Sequence, residues 1–385
     1  MNPQKRKHYK MLSYSTQLIE DDDINVVNEV LKSNLLAQGP RVAQFEQDLC
    51  DYVSAKYAVA FNSATSALQA AYTVANMEEG DEIITTPISF VATSNMFVAL
   101  GAKPIWCDVK LDGNINEKQI EKLITPKTKA IVVVDFAGKP VEMQTIEAIT
   151  KKHKLLLIDD ASHALGSSID GKKLGSFADM SIFSFHAIKP ITTSEGGAVI
   201  TDNEEYAEKL RLFRSHGVQK KELWNSDMVS MGYNLRMTEV AAALGSSQLK
   251  KLDRFIAKRN EIARYFDTRF QNEKLFLTQK LEKNTISSRH LYPIILNPEL
   301  HCPKEDIFKE LQERGLGVQV HYKPIYNNSF YQEQFGQVSL PVANDFYNSE
   351  ISIPCNQTMS MQDAEYVADT LLDVVHKYSH RGCSF

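Results

Sequence analysis

The strongest constraint on how this chain folds is a series of seven short, apolar runs between residues 57 and 201. They read "YAVAF" (Tyr57–Phe61), "EIITT" (Glu82–Thr86), "KPIWCD" (Lys103–Asp108), "AIVVVD" (Ala130–Asp135), "LLLID" (Leu155–Asp159), "MSIFSF" (Met180–Phe185) and "GAVIT" (Gly197–Thr201). Runs this short, bounded by turn residues, predict buried strands. Between most of them the apolar spacing is helical, over Thr65–Asn76, Ile88–Leu100, Asn116–Ile124 and Glu142–His153. Strands that alternate with helices predict an α/β fold, a mostly parallel sheet covered on both faces. The last two runs lie too close together for a crossover helix, so one strand should run the opposite way.

After Thr201 the character changes. Glu204–His216 and Thr238–Phe270 predict helices, the second long enough to bridge two domains. From about Leu275 the signals shorten: "HLYPIIL", a helix near Lys304–Arg314, "GVQVHY", and a final helix from about Ser360. These predict a smaller α+β domain over 251–385, after a large sheet domain over 11–250 that includes the N-terminal segment. Residues 1–10, "MNPQKRKHYK", are basic and lack the apolar core of a signal peptide. They read as a flexible leader, with Met11 as a second candidate start.

Composition excludes several functions. The chain has 385 residues, is 43% hydrophobic and 24% charged, and carries a net charge of −5. That is the balance of a globular protein without a basic field for nucleic acid. No apolar run reaches the roughly 18–20 residues of a membrane helix. The five cysteines (Cys50, Cys107, Cys302, Cys355 and Cys383) form no CxxC pair. They predict the reduced thiols of a cytoplasmic protein, with no zinc site and no disulfide frame.

In an open α/β sheet, ligands bind outside the carboxyl ends of the strands. Tyr57–Phe61 is followed by "NSATSAL", which reads either as an ordinary helix cap or as a phosphate site on free backbone N–H groups. Leu155–Ile158 is followed by "DDASHALGS", where two aspartates and a histidine suit either a cap with a satisfied histidine or a partner for a cationic ring. In "PISFVAT", Phe90 reads more readily as core than as a stacking surface. The "SFHAIKPITTSEGGAV" stretch sets one lysine, Lys189, just after a strand. A phosphate site, a carboxylate for a pyridinium, a ring platform and a lysine together describe pyridoxal 5'-phosphate. A dinucleotide does not fit, because the one GxG (Gly315-Leu316-Gly317) follows a helix and enters a strand.

At these residues the chain resembles the sugar-nucleotide aminotransferases of the DegT/DnrJ/EryC1 type, within the fold-type I pyridoxal-phosphate enzymes. The segments that carry the resemblance are "NSATSAL", "ITTPISFVAT", "SHALGS", "FSFHAIKPITT", "EGGAV", "LFRSHG", "ALGSSQLKK" and "VQVHYKPIY", and it runs from about Met11 to the C-terminus. They look most like the member that aminates C4 of a UDP-linked 4-keto sugar with L-glutamate as donor. The resemblance implies Lys189 as the Schiff-base lysine, Asp160 on the pyridine nitrogen, His163 on the ring's 3-hydroxyl and Phe90 on its face. It implies Ala64, Thr65 and Ser184 around the phosphate. Asn234 would reach the neighbouring subunit's phosphate, which requires a homodimer with shared sites. Tyr14, Arg236, His321 and Tyr322 would face the sugar nucleotide. The segment "SSIDGKKLGSFADM" departs from relatives and predicts a hairpin away from the chemistry.

Three other readings stay open. Another 4-keto sugar nucleotide (UDP-D, GDP or dTDP) could be the acceptor on the same scaffold. A sugar dehydratase of this type has histidine where this chain has Lys189. A cofactor-binding regulator would normally carry a DNA-binding domain, and none is visible.

Overall fold

A computed structural model describes residues 11–300 and 303–380. The basic leader over 1–10, Cys302 and Cys383 lie outside the described residues. All seven predicted runs form one sheet: β1 (Tyr57–Phe61), β2 (Glu82–Thr85), β3 (Lys103–Trp106), β4 (Thr128–Val134), β5 (Leu156–Asp160), β6 (Met180–Ser184) and β7 (Gly197–Thr201). Their order in space is β1-β7-β6-β5-β4-β2-β3. Strand β7 is antiparallel to both β1 and β6, and every other pairing is parallel. This is the expected α/β sheet with one reversed strand.

Successive side chains along a strand leave opposite faces, and here each face has its own core. Ala58, Ala60, Ile84, Ile131, Val133, Ala198 and Ile200 enter one cluster; Val59, Phe61, Ile83, Ala130, Val132 and Val199 enter the other. Double burial explains why the strands read as unbroken apolar runs.

Helix α1 (Ala64–Val74) follows β1 directly, capped by Ser63 Oγ, which accepts Ser66 N–H at 3.1 Å. The helix expected over Ile88–Leu100 is shorter, α2 (Ala92–Val98). Its first turn is given over to the loop after β2, where Thr86 Oγ1 accepts Ile88 N–H at 3.2 Å.

The single helix expected over Thr238–Phe270 is two, α3 (Glu239–Leu249) and α4 (Leu252–Arg269). A tight turn breaks it, with Lys251 N–H donating to Gln248 O at 3.0 Å. The Lys251 ammonium there meets Asp22 and Asp23 at 2.7 Å each. The break aims Leu252, Phe255 and Ile256 into a sheet core, while Ile262, Ala263 and Phe266 enter a separate core in the C-terminal half. That second core surrounds a three-stranded antiparallel sheet, β8 (Phe276–Thr278), β9 (Tyr292–Leu296) and β10 (Glu350–Ile353), with β9 central. Helices α5 (Lys304–Glu313) and α6 (Met361–His380) cover it.

"GVQVHY" is not the strand expected. Only Leu316–Gly317 is extended into a ladder, pairing with Leu12–Ser13, so the N-terminal segment joins the C-terminal half. The predicted hairpin forms from Ser168–Ile169 and Lys172–Lys173 and adds Thr285–Ile286 as a third strand. It therefore leads into residues 287–290, which border the candidate site. Arg259 of α4 is fully buried and staples these parts together. Its guanidinium donates to Ser15 Oγ and to the carbonyls of Arg289, His290 and Cys355. Cys50, Cys107 and Cys355 are buried, unpaired thiols. Among the described residues no helix is long and apolar enough to cross a membrane.

Candidate active site

The carboxyl ends of β1, β2, β5 and β6 converge with the segments around 290 and 321. Lys189 sits in the turn after β6, its backbone N–H donating to His186 O at 2.9 Å. Its side chain is half-buried, and Nζ lies 3.4 Å from His290 Nε2. Burial pushes this amine down to about 8, against the attraction of Asp160. A lysine so placed shares its time between ammonium and free base near neutral pH, as proton transfer requires.

Asp160 ends β5. Its Oδ2 accepts Thr93 Oγ1–H at 2.6 Å and its Oδ1 accepts Ser162 Oγ–H at 2.5 Å. Ser89 Oγ stands 2.7 Å behind Thr93 Oγ1, so its hydroxyl donates onward and fixes Thr93 as donor. The adjacent Asp159 leaves the opposite side of the strand. There both its oxygens, and Oδ2 of Asp135, are buried without a donor. Two facing buried carboxyls favour a shared proton, and the Ser181 hydroxyl beside Asp159 only partly opposes this. Burial raises both, and the charge of Asp135 raises Asp159 further, so Asp159 keeps the proton and gives it to Asp135. The repulsion between the adjacent aspartates is relieved by protonation as well as by opposite facing.

His163 accepts Ala137 N–H on Nδ1 at 3.3 Å. Its proton is therefore on Nε2, 3.1 Å from the Tyr322 hydroxyl, and Tyr322's own O–H remains to be donated elsewhere. Burial holds His163 well below the usual imidazole range, and the Lys189 amine adds to this. Its ring centroid is 4.5 Å from that of His290. Tyr14 lies 5.2 Å from the His321 ring, which is joined to Tyr322 by a cis peptide. Phe90 is 60% exposed with its ring 6.4 Å from Tyr322. The core reading of Phe90 is thus overturned, because the loop after β2 projects it off the sheet.

Ala64 and Thr65 open α1 with backbone N–H groups that no group among the described residues accepts, and buried Ser184 ends the neighbouring β6. Gly197 lets β7 pass beneath them. A Cβ there would stand 2.5 Å from both N and Cα of Ala64. Gly197→Ala is therefore expected to displace the head of α1, costing roughly 1–3 kcal/mol as overpacking does. Thermal denaturation should register it, together with weaker retention of any phosphate ligand at α1. Arg236 bridges Phe61 through its backbone, while Asn234 is exposed; neither side chain bonds to the groups around Lys189. His290, Thr93, Ser89 and Asp135 escaped the sequence reading. The signals were slight: a histidine just ahead of an apolar strand, and two hydroxyls four apart at a helix start.

An anion site at the head of an 11-residue helix, a carboxylate held between two hydroxyls and an amine between them fit pyridoxal 5'-phosphate in donor chemistry. Comparison with known proteins gives this arrangement its context. The DegT/DnrJ/EryC1/StrS aminotransferase family profile matches residues 17–372. The chain belongs to this family. Its relatives there include a Campylobacter jejuni protein named UDP-4-amino-4,6-dideoxy-N-acetyl-beta-L-altrosamine transaminase, 50% identical over 97% of this chain and 100% of that one. A Helicobacter pylori aminotransferase involved in the biosynthesis of pseudoaminic acid superposes with a TM-score of 0.93 at 45% identity, covering 96% of this chain and 100% of that one. A putative sugar aminotransferase of Streptococcus pneumoniae, solved in its PLP form, superposes with a TM-score of 0.90 at 28% identity, covering 96% and 99%. As an aminotransferase of this family, the chain has the fold-type I architecture expected from its sequence.

Proposed function

We propose that this chain transfers the amino group of L-glutamate to C4 of UDP-2-acetamido-2,6-dideoxy-β-L-arabino-hex-4-ulose, using pyridoxal 5'-phosphate, as a step of pseudaminic acid biosynthesis. The product is UDP-4-amino-4,6-dideoxy-N-acetyl-β-L-altrosamine. One observation carries the reading: end-to-end identity of 50% to a transaminase named for this product. The unpaired, buried thiols support a cytoplasmic setting.

Ala64 and Thr65 N–H with Ser184 would hold the phosphate, Phe90 would cover the ring, His163 would meet its hydroxyl and Asp160 its nitrogen. Bound there, the cofactor supplies the electron sink. Lys189 Nζ would tether it, and would take the α-proton of glutamate and return a proton across the site. Asp160, kept an acceptor by Thr93 and Ser162, would hold the proton on the ring nitrogen. Tyr14, Arg236, His321 and Tyr322 would line the sugar-nucleotide side.

Sugar specificity should come from hydrogen bonds matched to particular ring substituents, because a site group left unpaired costs about 1–3 kcal/mol. Incubation with glutamate and a panel of keto sugars, read by mass spectrometry, tests this. The β-L-arabino compound should be consumed, its D-xylo epimer poorly, and GDP-linked keto sugars hardly at all. Preference for either of the latter overturns the substrate and leaves the aminotransferase class standing.

A homodimer with shared sites is part of the reading. It is supported by a wholly exposed hairpin, Val218–Glu222 with Asn225–Met228, that carries Leu223 and Trp224 at its tip and exposed Val229 and Met231 just beyond. An apolar arm of this size on a surface marks an interaction site. If Asn234 serves the partner's site, mixing Lys189→Ala with Asn234→Ala should restore about a quarter of wild-type activity. Half of randomly mixed dimers are hybrids, and each hybrid has one intact site. Full activity from a sedimenting monomer would refute the shared site.

A further inference from the structure

His321 turns one ring nitrogen to the protein and the other to the site. Nδ1 lies 2.8 Å from Ser352 Oγ, and Ser352 Oγ lies 2.6 Å from Glu350 Oε1. The second oxygen of Glu350 accepts the backbone N–H of His321 at 2.7 Å. All three residues are buried. The other nitrogen, Nε2, has no hydrogen-bond partner among the described residues, and the ring stands between those of Tyr14 and Tyr322. We propose that Glu350 and Ser352 are positioning residues that decide which nitrogen of His321 carries its single proton, and so whether Nε2 meets the sugar as acceptor or as donor.

Proton counting along this three-member chain decides the tautomer. A hydroxyl has one proton to give. With Glu350 ionised, its two oxygens accept from His321 N–H and from Ser352 O–H. The serine then has nothing to give to the imidazole, so Nδ1–H donates to Ser352 and Nε2 is bare. With a proton on Glu350 Oε1, the carboxyl donates to Ser352, Ser352 donates to Nδ1, and the imidazole proton moves to Nε2. The imidazole stays neutral in both arrangements, since burial and the Lys189 amine hold it down at about 3. Titratable groups facing Glu350 are Lys304 of α5, which favours its charge, and His321 and Tyr322 of the crossing segment. Burial outweighs Lys304 and raises Glu350 to about 8, which brings both arrangements within ordinary buffers.

The coupling of the Glu350 charge to the His321 tautomer stands on this geometry; its effect on the sugar rests on the function proposed above. The test uses holoenzyme labelled with ¹⁵N-histidine, with the His321 signals assigned by their loss in His321→Gln. Above the titration of Glu350, wild type should show a protonated Nδ1 and a bare Nε2. In Glu350→Gln the amide oxygen takes the His321 N–H and the amide N–H takes Ser352, so Nε2 should carry the proton at every pH. Ser352→Ala removes the acceptor and should release Nδ1 from its protonated form. In kinetics above the titration of Glu350, Glu350→Gln should raise KM for the keto sugar about tenfold, as one mismatched hydrogen bond does. Conversion of the cofactor absorbance by glutamate alone should be unchanged. The same tautomer in wild type and Glu350→Gln above the titration of Glu350 overturns the proposal. If that variant does not fold, retention of the protonated Nδ1 in Ser352→Ala overturns it. Equal losses in the two half-reactions overturn the sugar-facing role, whereas failure of wild type to aminate any keto sugar overturns only the proposed function.

Discussion

Lys189→Ala should yield a folded protein that still takes up pyridoxal 5'-phosphate through α1 but has lost multiple turnover. Proton transfer by a positioned side chain accounts for roughly 10²–10⁴ in rate, and loss of the covalent tether adds to that. No other amine among the described residues stands beside His290 and within the attraction of Asp160, so nothing in the site replaces it. Product formation followed by mass spectrometry over many cofactor equivalents is the measurement. Borohydride treatment of wild-type holoenzyme should fix the cofactor to the peptide that contains Lys189. Sustained turnover by the variant, or label on another lysine, would remove Lys189 from its assigned role.

The second large effect is expected at Asp160. Asp160→Asn replaces an acceptor with a group that can donate toward the ring nitrogen, so turnover should fall by several orders of magnitude. A charge-assisted hydrogen bond contributes about 1.5–3 kcal/mol by itself, and the lost electronic activation comes in addition. Two companion variants give the result its meaning. Thr93→Val removes one of the two hydroxyls that orient the carboxylate and should cost about tenfold. Asp159→Asn, by contrast, offers Asp135 an N–H in place of the carboxyl proton and should leave turnover close to wild type. If Asp159→Asn proves more damaging than Asp160→Asn, the wrong carboxylate has been assigned.

How much of this was legible in the sequence follows from the range of the interactions involved. The seven strands were legible because double burial writes itself into the chain as unbroken apolar runs. The break at Lys250–Lys251 was not, because its causes, the acidic helix start at Asp22 and Asp23 and the demand for two cores, lie more than 200 residues away or in packing. The β1–α1 anion site was legible as a local string, "NSATSAL", although the string alone suits an ordinary cap equally well. His290 and Asp135 were not legible. They reach the site only through the topology of other elements, β9 in the C-terminal half and β4 beside β5. Phe90 was read as core because aromatic residues usually are, and its exposure is set by a loop geometry that composition does not encode.

The facing carboxyls of Asp135 and Asp159 make folding a proton-uptake reaction. In the unfolded chain both ionise near pH 4, while in the fold burial raises both, Asp135 to about 7. Below pH 4 both states are protonated and the pair does not discriminate between them. As pH rises past 4 the unfolded chain releases protons that the folded chain keeps. Stability then falls by up to about 1.4 kcal/mol per pH unit for each retained proton, until the folded groups ionise in turn. The buried histidines 163 and 290 act in the opposite sense. They are held neutral in the fold, so the stability they leave intact above about pH 6.5 is lost as acid protonates them in the unfolded chain. The empty protein should therefore be squeezed from both sides, with melting temperatures falling toward acid through the histidines and toward alkali through the carboxyls. Asp159→Asn should flatten the alkaline side alone, and thermal melts across pH would show it.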